Sequence, residues 1–142
     1  MAFQGFIKGV RYIPVPAPVF GELLQEIQDI TELKIILRII RLLHNKKGLE
    51  RYVSIDELLA DRVLSIGLGS MDLDSRRTNI IQSLESSEKR KILIKINRKN
   101  TDTFAYFLNT EFERQAIGKM KGIEHQSDFE PWETGEDRPN IY

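Results

Sequence analysis

"KILIKINRKNTDTFAYFLN" (residues 91–109) decides how the rest of the chain is read. Ile92, Ile94 and Ile96 alternate with Leu93, Lys95 and Asn97. On the return, Phe104, Tyr106 and Leu108 alternate with Ala105 and Phe107. Alternation on both sides of a polar, basic tip, "NRKNTD", predicts a β-hairpin. Most of what precedes it reads differently, with apolar residues at helical spacing.

Outward from the hairpin, the nearest preceding element is a helix from about Asp72 to Lys89. Leu73, Ile80, Ile81 and Leu84 form its expected buried side. Arg76, Asn79, Ser83 and Ser86 fall opposite them in steps of three and four. "RVLSIGLGSMD" (62–72), with Gly67 and Gly69, reads as a loop. "RYVSIDELLAD" (51–61) reads as a short strand, Arg51–Val53, feeding a helix; Ser54 and Glu57 match a capping box. "ITELKIILRIIRLLHNKKG" (30–48) is the most apolar helix, with Thr31 as its expected cap and Gly48 as its stop. Lys34, Arg38, Arg41 and Asn45 leave it one narrow polar stripe, so neighbours must cover most of its circumference.

At the N-terminus, Pro14, Pro16 and Pro18 hold the backbone extended. Phe6–Val15 reads as an extended stretch or strand, with a helix starting near Pro18. After the hairpin, Thr110 and Glu113 open a last helix to about Lys121. Beyond Gly122 the chain turns acidic and aperiodic, as linkers do. The order of elements divides the chain into an N-terminal extension (1–30), a core (31–122) and an acidic tail (123–142).

Helix, short strand, helix, helix, hairpin is the order of a winged helix-turn-helix. The expected fold class is therefore mainly α with a small β-hairpin (α+β), carrying a Pro-rich N-terminal segment and a C-terminal helix. In that arrangement the third helix offers its outer side to the DNA major groove, and the hairpin reaches backbone or minor groove.

Charge agrees with this placement. The 142 residues have zero formal net charge. Yet from Arg76 to Lys99 eight basic residues face only Glu85 and Glu88, a local excess of six positive charges. From Glu124 onward six acids face Arg138 alone, an excess of five negative charges. Arg76, Arg77, Asn79 and Ser83 on the helix, with Lys95, Arg98 and Lys99 on the hairpin, are the candidate DNA-contacting residues. Arg pairs bidentately with guanine, Asn with adenine, and all four types hold phosphates.

Composition sets further bounds. With 41% hydrophobic and 30% charged residues the chain has the balance of a folded protein. No run of about 18 apolar residues marks a membrane span, and the first residues lack a secretory signal's apolar core. Cysteine is absent, which removes disulfides and thiolate chemistry and fits a cytoplasmic location. "IGLGS" lacks the third Gly of a dinucleotide fingerprint and the Gly-Lys-Ser/Thr of a phosphate loop. His44 ends an apolar helix and His125 lies in the tail, without the companions that a metal site or triad requires. These residues point to no enzyme, no metal and no cofactor. Trp132, alone among acids, is open between docking and disorder.

"YIPVPAPVFGELLQEIQDITELKIILRIIRLLHNKKG", then "RYVSIDELLADRVL", then the terminal "RPNIY" (138–142) resemble the N-terminal half of DnaD-domain replication proteins, in the form associated with Chloroflexi-type bacteria. The resemblance implies a winged-helix domain, an acidic linker, and the first residues of a helical DnaD domain. On it, Arg138–Tyr142 are expected to be a severed junction, poorly ordered without their own domain. It further implies work in replication initiation or restart, in a primosome that helps deliver the replicative helicase. In such proteins the N-terminal domain is chiefly an oligomerisation platform, and the DNA-binding motif of the second domain has no counterpart here.

The expected partners are therefore DNA, other primosome or helicase-loading proteins, and further copies of the chain. An extended N-terminal segment pairs readily by its edges between subunits. Phe6, Tyr12, Ile13, Val19 and Phe20 are the candidate interface residues. Two other readings stand beside this one. A winged-helix transcription regulator would need Arg76 and Asn79 on bases. A pure protein-interaction module would need no DNA at all.

Overall fold

The computed structural model describes residues 2–48, 51–98, 102–124 and 132–134. It is mainly helical, with an antiparallel sheet late in the chain. A 3-10 turn, Ala17–Phe20, leads into α1 (Glu22–Glu26) and α2 (Ile30–His44). Then come α3 (Ile55–Ala60), α4 (Arg62–Gly67) and α5 (Leu73–Lys89). Strands β1 (Leu93–Arg98) and β2 (Phe104–Leu108) are followed by α6 (Glu111–Glu124) and a short β3 (Trp132–Thr134).

The hairpin forms as its alternation dictates. β1 and β2 pair antiparallel from Leu93↔Leu108 to Asn97↔Phe104. The two faces bury different neighbours. Leu93, Phe104, Tyr106 and Leu108 join the main core with α2, α3 and α5. Ile94, Ile96, Ala105 and Phe107 form a second cluster with Ile117 of α6 and with Tyr52. The sheet is thus a partition between a helical bundle and a single helix, which is why neither face of either strand reads as plainly polar.

α2 is the bundle's centre. Ile35, Ile36, Ile39, Ile40 and Leu43 are buried, and the helix packs on α5, α4 and β2. Its cap is Asp29, whose carboxylate accepts from Thr31 N at 2.9 Å. Thr31, the expected cap, lies inside the first turn. Asp29 takes the role because a carboxylate both accepts the free amide and complements the helix dipole. Ile30, at the start of α2, and Leu37 are its exposed apolar residues.

The short strand expected at Arg51–Val53 contracts to one antiparallel bridge. Val53 N donates to Tyr106 O at 3.0 Å, and Tyr106 N returns a bond to Val53 O at 2.9 Å. Ser54 Oγ caps α3 by accepting from Glu57 N at 3.1 Å. The segment 62–72 is not all loop: Arg62–Gly67 is helical, capped by Asp61, whose carboxylate accepts from Leu64 N. That one carboxylate, followed by Leu64, which is buried in the core, is enough to hold a single extra turn of helix.

The last helix begins as read, with Glu113 N donating to Thr110 Oγ1 at 3.2 Å. The tail read as aperiodic contributes a strand: β3 lies antiparallel on the outer edge of β1, in the register Ile96↔Thr134, Asn97↔Glu133 and Arg98↔Trp132. Short-range patterning cannot reveal three residues whose only reason to be extended is a distant edge. Arg138–Tyr142, His125 and Lys99 lie outside the described residues. Among the described residues no helix is long and apolar enough to cross a membrane.

Candidate nucleic-acid and self-association surfaces

α5 starts at Asp72, whose carboxylate accepts from Ser75 N at 2.7 Å. The Ser75 amide, and then its side chain, hold the Asp72 carboxyl below the ordinary carboxylate range. The helix ends in a Schellman motif. Ile92 N donates to Ser87 O at 2.9 Å and Lys91 N to Glu88 O at 3.0 Å. The residue that must turn left-handed is Lys91, at φ 66°. Glycine is usual there because a side chain costs roughly 1 kcal/mol in that conformation. Lys91 is exposed at the junction between α5 and β1.

The face that α5 buries differs from the expected one. Ile80, Ser83, Leu84 and Ser87 are inward, whereas Leu73 is 59% exposed. The helix is turned so that two small serines, four residues apart, lie on the side packed against α2 and α3. Small side chains allow close helix approach, so this rotation fills the core better than an all-aliphatic stripe would.

This rotation corrects the candidate list. Ser83, at 4% exposure, is a buried residue and offers nothing to DNA. Arg76 is half-buried and its Nη1 donates to Ser65 Oγ of α4 at 3.1 Å. Asn79 is half-buried too, with Nδ2 donating to Ser75 O at 2.9 Å and lying 3.5 Å from Met71 Sδ. Only Arg77 of the four stands on the open face, with Nη1 at 3.9 Å from Asp56 Oδ1. The exposed stripe of α5 carries Asp74, Arg77, Thr78, Gln82, Glu85 and Lys89. Its charges balance.

The positive charge concentrates instead where α5 hands over to the hairpin. Arg90 is committed elsewhere: Nε bonds Glu32 Oε2 at 3.0 Å, and Nη1 lies 3.6 Å from Glu26. Lys89 and Lys91 are exposed and have no ion partner among the described residues. Lys95 lies on β1 with Nζ 4.1 Å from the centre of the Phe104 ring, a contact that orients an ammonium without neutralising it. Arg98 ends β1. Lys89 and Lys91 were not singled out from the sequence. The signal was available, because a Lys at the left-handed position after a helix resists the local preference for Gly.

At the other end of the chain, residues 2–16 form neither helix nor strand. A turn closed by Val10 N to Ile7 O at 3.2 Å uses Gly9 at φ 81°, the conformation that a type II turn demands at its third residue. Phe3 and Phe6 meet edge to face at 5.0 Å. Phe6 is 84% exposed, Tyr12 88%, and Phe20 also points outward. Ile13 is half-buried. Val19, expected at an interface, is only 4% exposed and belongs to the core with Ile27 and Ile40. The prolines fix the path of Pro14–Pro18, and that path presses Val15 and Val19 onto the bundle. The aromatic residues before it cover nothing of comparable size.

No family model, no curated protein and no solved structure matches this chain.

Proposed function

We propose that this chain is a winged-helix domain of a DnaD-like replication initiation or restart protein, holding DNA by its phosphates and joining copies of itself. α2, the Val53 bridge, α3, α5 and the β1–β2 hairpin take the places of the winged helix-turn-helix, with α4 as an added turn. The observation that carries the reading is the Val53–Tyr106 bridge. It lays the segment before α3 along the outer side of β2, in the position of the first strand of a winged helix.

The distribution of cations favours one of the DNA-binding readings. A regulator that reads bases needs Arg76 and Asn79 free above α5, and both are turned to local partners. Lys89, Lys91, Lys95 and Arg98, with Arg77, suit phosphates, which fix register without carrying sequence. Sequence-indifferent binding is what a replication protein that moves along DNA requires. The exposed Phe3, Phe6, Ile7 and Tyr12 support self-association, since apolar side chains gathered on one arm mark an interaction surface.

Reversing Arg98 and Lys99 to Glu tests the DNA arm. Binding to a short duplex should fall by at least about tenfold at moderate salt, with the melting temperature unchanged. Undiminished binding would place the DNA contacts elsewhere on the chain, and no duplex binding by the unmodified chain would move the reading to a protein-interaction module.

A further inference from the structure

α4 buries one of its six residues, Leu64. Its outer side is apolar: Val63 is 54% exposed and Ile66 68%. Leu73, left 59% exposed by the rotation of α5, follows across the turn. Gly67 and Gly69 carry no side chain, and the space where a Cβ would stand is open, so another backbone can come close. Lys34 Nζ donates to Gly67 O at 2.9 Å and Arg76 Nη1 to Ser65 Oγ at 3.1 Å, which ties α4 and its turn to α2 and α5. Apolar side chains exposed together on an anchored turn mark an interaction surface.

Charge selects the occupant. Asp72 and Asp74 flank Leu73, both exposed and neither in an ion pair among the described residues. Arg62, beside Val63, is the exposed cation of α4. The N-terminal arm is the complement of the Leu73 end. From Ala2 to Gly21 it carries Lys8 and Arg11 and no acid. Both cations are exposed and have no ion partner among the described residues. Phe3, Phe6, Ile7 and Tyr12 of the same arm are each at least 74% exposed. Other exposed apolar positions suit a cationic arm less well. Ile30 and Leu37 share their side of α2 with Lys34 and Arg41. Phe112 lies 4.5 Å beneath the Arg51 guanidinium.

We infer that the arm of one copy seats on the Ile66–Leu73 face of a second copy, with Lys8 and Arg11 beside Asp72 and Asp74. The inference rests on the self-association reading above and names the surface that receives the arm. The two surfaces differ, so the contact is heterologous. Each copy keeps one free arm or face, and copies add head to tail. Leu73 opens α5 and Lys89 ends it, about 24 Å apart along the axis by the rise of a helix. The cations at the hairpin end therefore stay uncovered, and a row of copies presents them in series.

The test uses two double variants of the full chain. Phe6→Asp with Tyr12→Asp spoils the arm, and Ile66→Asp with Leu73→Asp spoils the face. All four positions are exposed, and melting checks that each variant folds. In sedimentation at micromolar concentration the unmodified chain should pass beyond the dimer, and each variant alone should stay monomeric. The two variants mixed in equal amounts should form a dimer and nothing larger, because the mixture supplies one sound arm and one sound face. The chain has no cysteine, which gives a second measurement that does not depend on the aspartates. A Tyr12→Cys chain mixed with a Leu73→Cys chain and treated with a short bis-maleimide should cross-link chiefly into the mixed dimer. If the unmodified chain associates but the mixed variants stay monomeric, or if cross-linking within either cysteine chain equals that between them, the head-to-tail contact is overturned and self-association stands. An unmodified chain that is strictly monomeric overturns the self-association reading, and the contact with it.

Discussion

Asp61 and Arg38 join two helices through a two-point ion pair, Nε to Oδ2 at 2.9 Å and Nη2 to Oδ1 at 3.0 Å. The same carboxylate caps α4 through Leu64 N at 3.0 Å. Burial alone would raise the Asp61 pKa, but the Arg38 bonds and charge and the Leu64 amide outweigh it, and the net shift is downward from 3.8. Planar guanidinium and carboxylate suit each other in this way, so the pair fixes where α4 sits against α2.

A carboxyl with a lowered folded pKa contributes stability that is present above its unfolded value and lost as pH falls through its folded value. Stability should therefore hold steady above about pH 4 and decline below it. Asp61→Asn keeps the shape, weakens the cap and removes the charge. It should cost on the order of 1–2 kcal/mol in urea unfolding at neutral pH, and the acid decline should become shallower.

Tyr106 sets an alkaline limit. Burial, and then the negative charges of Glu88 and Glu85, push its phenol up to about 12. The unfolded chain ionises near 10 and the folded one near 12, so stability is full below pH 10 and falls between those values. Tyr106→Phe should remove that part of the alkaline decline, as read by thermal melts from pH 9 to 12.

Lys91→Gly should raise stability by roughly 0.5–1 kcal/mol, because Gly occupies φ 66° without strain. The same change should weaken duplex binding and reduce its salt dependence by about one phosphate contact. A stabilised variant with unaltered DNA affinity would remove Lys91 from the binding surface.

The N-terminal arm yields a test of assembly. Phe6→Asp with Tyr12→Asp should dissociate any oligomer seen by sedimentation at micromolar concentration. The melting of the monomer should change by less than about 0.5 kcal/mol, since both rings are exposed. Val19→Asp should instead unfold the chain, because it places a charge in the core.

The hairpin was the most legible part of the sequence, since alternation on each strand specifies two faces whatever lies against them. α2 was equally plain, as an apolar helix with one polar stripe. The rotation of α5 was not. Leu73 and Ile81 look as apolar as Ile80 and Leu84, and only Ser83 and Ser87, small enough for close packing, show which side turns inward. Ser83 was expected on the outer side and is buried, and Arg76 and Asn79 are half-buried, because the three placements shared that one error. α4 was missed because Gly67 and the following Gly69 suggested a loop, while its cap, Asp61, was also the partner of a distant Arg38. β3 depends on an edge more than thirty residues away.

The most direct measurement is duplex affinity against salt, for two unrelated 20-base-pair sequences, on the full chain. The account predicts a straight log–log dependence with a slope of about −3 to −5, as four or five phosphate contacts give. The two sequences should agree within about threefold, far below the ratios of a site-specific protein. No binding at about 50 mM salt, or a preference of roughly 10³ for one sequence, would contradict it.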